Sequence, residues 1–274
     1  MSFFDIEITD RYTIDTLLKL CLHNETAKDA FRLLYKLANK DNILQDQAKF
    51  AFIDLFQVRL AETCLDLEER INILNELEEE YGVSEIIINA YERGLKANGF
   101  TGRIQSGELK NRDKLFDLSS REQLNQYFTK VIEKLKSIAL IGDEPFAQLA
   151  IDSLVFRFPE QLTFGPFKQM LRAIKKIVKN QGELSDGIRQ KLAELSSEKY
   201  ELSKEELEEI DAVLEEYKPK SVGEELNAYV VNAPWIHDRD DQGNYVNVSA
   251  ENAKNLAKKY VAENPLWQLE NIKL

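Results

Sequence analysis

An all-α fold built of antiparallel helix pairs is what this sequence predicts, and three observations predict it. Apolar residues recur at helical spacing along most of the 274 residues. Breakers are sparse, with 11 Gly and 6 Pro. Capping residues and acids stand where the apolar stripes begin.

The first residues, to about Asp10, are weakly patterned. Leu17, Leu18, Cys21 and Leu22 then repeat behind Thr13, a suitable cap. A second helix is expected from Thr26, buried along Ala27, Ala30, Phe31, Leu34, Leu37 and Ala38. A third is expected over 45–62, carrying Phe52, Leu55, Phe56 and Leu60. The fourth opens at Asp66, with Glu68 and Glu69 where the helix dipole favours acids. Leu67, Ile71, Leu74 and Leu77 are its stripe and Gly82 its stop. The fifth spans 84–97. After a breaker-rich stretch, a capping box from Ser119 to Glu122 starts the next helix, buried along Leu124, Phe128, Val131, Leu135 and Ile138. Pro145 sits early in the following helix and Pro159 is expected to close it. Further helices are expected over 166–179, 186–195, 204–217, 223–231 and 249–262.

About a dozen helices with short connections predict a degenerate tetratricopeptide- or HEAT-like solenoid, or an irregular helical bundle. No strict repeat period is present. The stretch 98–118 is too long for an ordinary connection and suggests a boundary. The expected organisation is a helical subdomain over 1–98, a basic glycine-containing loop over 99–118, a second helical subdomain over 119–218 and a helix–turn–helix segment over 219–274.

Composition narrows the function classes. With 43% hydrophobic and 31% charged residues the chain is globular. A net charge of −12 disfavours nucleic acid or anionic membrane as a ligand of the whole molecule, leaving local basic patches open. Cys21 and Cys64, the two cysteines, sit in apolar patterns and are expected as buried free thiols of a reducing, cytoplasmic compartment. Neither a secretory signal nor a membrane span is expected, so the N-x-S/T matches at Asn24 and Asn247 are expected to be unglycosylated.

No catalytic residues, metal ligands or cofactors are expected. G-x-S-x-G, H-E-x-x-H and C-x-x-C are missing from the chain, and His23 and His237 are too few for a three-histidine metal site. Gly102 to Gly107 has P-loop glycine spacing, but Glu108 and Leu109 replace the required Lys and Ser/Thr. Asp238, Asp240 and Gly243 match part of a calcium loop, yet Ser249 stands where the bidentate Glu belongs. A tight turn within a small hairpin, flanked by Trp235, Ile236, Tyr245 and Val246, is the expected form.

Two basic features are candidate binding sites. Lys168, Arg172, Lys175, Lys176 and Lys179 fall on one arc of roughly 100° of a helix whose other side is apolar. Arg103, Lys110 and Arg112, with Lys96 and Lys114, make the 96–114 region basic against Glu108 and Asp113. Either set could hold a phosphate, an acidic lipid or an acidic protein. Either could equally be neutralised within the chain, the helix by the acids from Glu201 to Glu216.

The run Leu67-Glu68-Glu69-Arg70-Ile71-Asn72-Ile73-Leu74 is followed by Ala90-Tyr91-Glu92-Arg93-Gly94-Leu95-Lys96 and Gly99-Phe100-Thr101-Gly102. Then come Ser120-Arg121-Glu122-Gln123-Leu124-Asn125-Gln126-Tyr127, Ala233-Pro234-Trp235-Ile236-His237-Asp238 and Gly243-Asn244-Tyr245-Val246. Together these resemble the helical C-terminal region of large bacterial P-loop NTPases of the STAND type, some of which serve in defence against phage. The resemblance covers most of the chain in order and rests on packing and turn patterns. It implies a sensor or scaffold segment whose effector and NTPase domains lie elsewhere. Leu266-Trp267-Gln268-Leu269-Glu270, still apolar near the end, agrees with a segment of a longer protein. The functional expectation is a non-catalytic protein-interaction module. The alternative is a phosphate-directed binder of nucleic acid or acidic lipid.

Overall fold

The computed structural model describes residues 12–41, 43–59, 61–98, 120–141, 143–196, 202–218, 220, 237–239, 245–247 and 249–263. Among them are eleven helices and one two-stranded ribbon, so the fold is all-α with packed helix pairs. The chain divides into two compact units, Met1–Ile174 and Lys175–Leu274. The boundary expected near 98–118 is not where the packing divides. Helices on both sides of that stretch share the core of the first unit.

The first unit holds α1 (Tyr12–Leu20), α2 (Ala27–Ala38), α3 (Gln45–Asp54), α4 (Leu67–Tyr81), α5 (Glu85–Gly94), α6 (Arg121–Ile141), α7 (Phe146–Phe164) and the start of α8 (Phe167–Gln181). Chain neighbours pack together: α1 on α2, α2 on α3, α6 on α7. α5 then joins α3 to α6 and α7. The stripe anticipated for α2 is buried at all six positions because its 3.6-residue period matches the core face. At the centre, the rings of Phe31, Phe52 and Phe56 meet edge-on, with Phe31 to Phe56 at 5.6 Å and Phe52 to Phe56 at 5.0 Å. α4 begins as anticipated: the Glu69 N–H donates to Asp66 Oδ1 at 2.8 Å, and the Asp66 N–H returns a bond to Glu69 Oε2. Gly82, at φ 80°, ends it in a conformation that favours glycine.

Several boundaries differ from expectation: Thr13 lies inside α1 rather than capping it, and α8 runs on to Gln181. α3 stops at Asp54 rather than Glu62. Its last turn tightens, with the Phe56 and Gln57 N–H groups reaching only three residues back. The carbonyls of Leu55 and Gln57, which a longer helix would use, instead accept from Arg70 Nη1 at 3.2 and 2.8 Å. α5 ends at Gly94, three residues early. The cap of α6 is Ser120, whose Oγ accepts from the Gln123 N–H at 3.1 Å, one residue later than the anticipated box. Pro159 lies inside α7 rather than at its end. Proline removes one N–H. The buried contacts of Phe158 and Gln161 on either side outweigh that loss and carry the helix through.

The second unit holds the rest of α8, α9 (Asp186–Ser196), α10 (Lys204–Glu216), α11 (Ser249–Glu263) and the ribbon of β1 (His237–Arg239) with β2 (Tyr245–Asn247). α9 packs on α10 through Ile188, Leu192, Leu195, Ile210 and Val213, all buried. The Arg189 side chain donates to the Tyr217 carbonyl at 2.5 Å. β1 and β2 are antiparallel, His237 opposite Asn247 and Arg239 opposite Tyr245. The pairing agrees with the anticipated hairpin at Tyr245 and Val246, but its first strand is His237–Arg239, and Trp235 and Ile236 lie outside the described residues. Asp238, the first position of the partial calcium-loop match, lies inside β1 opposite Val246, where a helix–loop–helix cation site needs it in the loop. The anticipated helix over 223–231 lies outside the described residues. No helix among the described residues is long and apolar enough to cross a membrane.

Candidate functional site

α8 is amphipathic as anticipated. Phe167, Met170, Leu171, Ile174, Ile177 and Val178 are buried. Lys168, Arg172, Lys176 and Lys179 are exposed and Lys175 is half-buried. Lys175 Nζ lies 3.2 Å from Glu209 Oε2 of α10. Among the described residues, no carboxylate comes within ion-pair distance of Arg172, Lys176 or Lys179. Other acids of α10 are engaged on their own helix: Glu206 caps with Ser203, Glu208 pairs with Lys204, and Glu215 pairs with Lys218. Arg103, Lys110 and Arg112 lie outside the described residues.

Beside the start of α8, within the first unit, an open cleft of about 740 Å³ runs along α6. Arg121, Glu122, Asn125, Gln126, Thr129 and Lys130 line it from α6, with Pro166 and Gln169 beside them. The three carboxamides both donate and accept hydrogen bonds. Gln126 and Lys130 also line a smaller cavity of about 150 Å³ shared with Asp66, Leu67 and Ile71 of the α4 start. Lys130 Nζ lies 2.9 Å from Glu68 Oε1 at its edge. Tyr127, at the base, donates to the Phe56 carbonyl at 3.2 Å, and burial pushes its hydroxyl up to about 12. Sequence reading missed this cleft, because its lining comes from polar positions of α6 that resemble any solvated helix face.

A charged network fixes the segment where α5 runs out. Arg157 of α7 reaches Glu92 Oε1 at 2.6 Å and also pairs with Glu160. Glu160 Oε2 accepts the Ala97 N–H at 2.6 Å, and Gln161 Nε2 donates to the Leu95 carbonyl at 2.9 Å. Arg93 reaches Asp54 Oδ1 at 2.7 Å. Burial, then Arg93 and Arg157, hold the Lys96 ammonium below its ordinary value. Five ionisable groups, Asp54, Glu92, Arg93, Arg157 and Glu160, thus tie α3, α5 and α7 together.

Gly165 makes this packing close. A Cβ there would collide with Gln161 Oε1 and lie 3.0 Å from Phe128 Cδ2. Gly165→Ala is expected to cost about 1–3 kcal/mol by displacing Gln161 from the Leu95 carbonyl. Urea unfolding checks it, and an unchanged midpoint would mean that Gln161 swings aside freely.

Among models of protein families, curated protein sequences and solved structures, none matches this chain.

Proposed function

We propose that the chain is a non-catalytic helical-repeat module that recognises a protein partner. It acts in the cytoplasm as a sensor or scaffold segment of a bacterial STAND-type NTPase. The observation that carries the binding reading is the open cleft along α6, with its three carboxamides. Its carboxamides suit a polypeptide main chain, which presents donors and acceptors in alternation. The exposed cation Arg172 follows Gln169 by three residues, on the same side of α8. That placement favours a partner with acidic groups. The resemblance over Leu67–Leu74, Ala90–Lys96 and Ser120–Tyr127 supports the attachment to NTPase and effector domains.

The test is capture from native lysate, with and without nuclease, at low and high salt. A stoichiometric, nuclease-resistant protein lost on Gln126→Ala/Gln169→Ala supports the reading. Capture unaffected by those changes removes the cleft from it. An immunoblot of native cells tests the attachment. A product far above the 31.7 kDa of this chain supports it, and a product at that mass overturns it.

The exposure of Arg172, Lys176 and Lys179 favours a second reading, in which α8 binds phosphates of nucleic acid or lipid. Arg172→Glu/Lys176→Glu is expected to shift stability by no more than about 0.5 kcal/mol, as exposed substitutions do. On this reading it abolishes salt-sensitive capture of nucleic acid or anionic vesicles. A large fall in melting temperature would instead show that these cations hold the fold.

A further inference from the structure

The two cysteines of the chain, 43 residues apart, come together in the first unit, where the Cys64 thiol reaches the Cys21 main chain. Cys21 follows the end of α1, and Cys64 lies in the irregular connector before α4. The Cys64 N–H donates to the Cys21 carbonyl at 3.2 Å, the Thr63 hydroxyl to the same oxygen at 3.0 Å, and the Cys64 thiol to it at 3.5 Å. With standard backbone dimensions, that single main-chain bond holds the two Cα atoms within about 7 Å of each other. A disulfide spans roughly 4.4–6.8 Å between Cα atoms. Neither cysteine is held inside a helix, so both side chains can turn without breaking a helical bond.

We propose that Cys21 and Cys64 form an oxidative modification site that peroxide converts to an intramolecular disulfide. Cys64, half-buried, is the sulfur that peroxide reaches, and Cys21, fully buried, is the resolving thiol. Burial, and then the neighbouring Cys64 sulfur, raise the Cys21 thiol above its ordinary value, so it is not the sulfur that attacks peroxide first. The Cys64 thiolate attacks one peroxide oxygen; the O–O bond breaks and the departing hydroxide takes up a proton as water. The resulting sulfenic acid is attacked by the Cys21 sulfur as it loses its proton. The S–S bond forms, the S–O bond breaks, and a second water leaves. Two thiols lose two hydrogens and two electrons, and one peroxide becomes two waters.

The disulfide closes a 43-residue loop and pins the end of α1 to the connector. The test is hydrogen peroxide on the folded full chain, followed by non-reducing peptide mapping. The expected product joins the Cys21 and Cys64 peptides with two hydrogens fewer than their sum, and melts roughly 5–10 °C higher than the reduced chain. Cys21→Ser is expected to leave Cys64 trapped as a sulfenic acid that dimedone labels. Cys64→Ser is expected to leave the Cys21 thiol intact. Cys64 driven to the sulfinic acid in the unaltered chain beside a free Cys21 thiol, or a disulfide between two copies, overturns the proposal.

Discussion

Replacing Arg70 by methionine lowers the stability of the first unit by about 3–5 kcal/mol, because buried main-chain carbonyls lose their charge-assisted donor. Arg70 is 1% exposed, and its hydrogen bonds to Leu55, Gln57, Leu65 and Asp66 all go to main-chain carbonyls. Methionine fills much the same apolar volume but offers no donor, so the carbonyls of Leu55 and Gln57 lose the guanidinium that reaches them. Each costs about 1–3 kcal/mol when buried without a partner. Burial brings the guanidinium down to about 10, yet leaves it charged at neutral pH, so the interaction lost is charge-assisted. Arg70→Lys is expected to recover little, because one ammonium cannot span the ends of the connector as the planar fork does. Urea unfolding of both variants measures this. A penalty for Arg70→Met below about 1 kcal/mol would mean that water reaches those carbonyls.

Phe52→Ala is expected to cost a similar amount, about 3–5 kcal/mol, for a different reason. The ring is fully buried and meets three others, Phe31 at 6.4 Å, Phe56 at 5.0 Å and Tyr35 at 5.4 Å. Truncation loses the transferred area and opens a cavity lined by rings fixed on α2 and the connector, which cannot collapse far. Phe52→Leu refills part of the space and is expected to lose less than half as much. Thermal unfolding followed by circular dichroism orders the three proteins. Equal melting temperatures for Phe52→Ala and the parent would show that this cluster is not the centre of the core.

These two residues also mark where sequence reading succeeds and where it stops. Phe52 is legible because its spacing to Ala48 and Leu55 follows the helical period and apolar residues carry their burial with them. Arg70 is not, since a charged residue between Glu69 and Ile71 reads as solvated surface until the connector is seen folding over it. The same connector explains the overlong third helix: Leu55, Phe56 and Val58 keep an apolar pattern, but their backbone serves a side chain from α4. Pro159 misled for the opposite reason, as a strong local rule gave way to tertiary packing. Of the candidate sites, the basic arc of α8 was legible because charge and period coincide there. The cleft along α6 and the meeting of Cys21 with Cys64 depend on which helices become neighbours, and nothing local encodes that.

The ties around Leu95 and Ala97 have a mechanical consequence. Two adjacent side chains of α7, Glu160 and Gln161, grip the same three-residue segment, one by its amide and the other by its carbonyl. Bonds arranged side by side share a load and must break together. A pull arriving along the chain from residue 98 onward is therefore borne by α7 and its neighbour α6, the longest helix of the unit, before α5 begins to unwind.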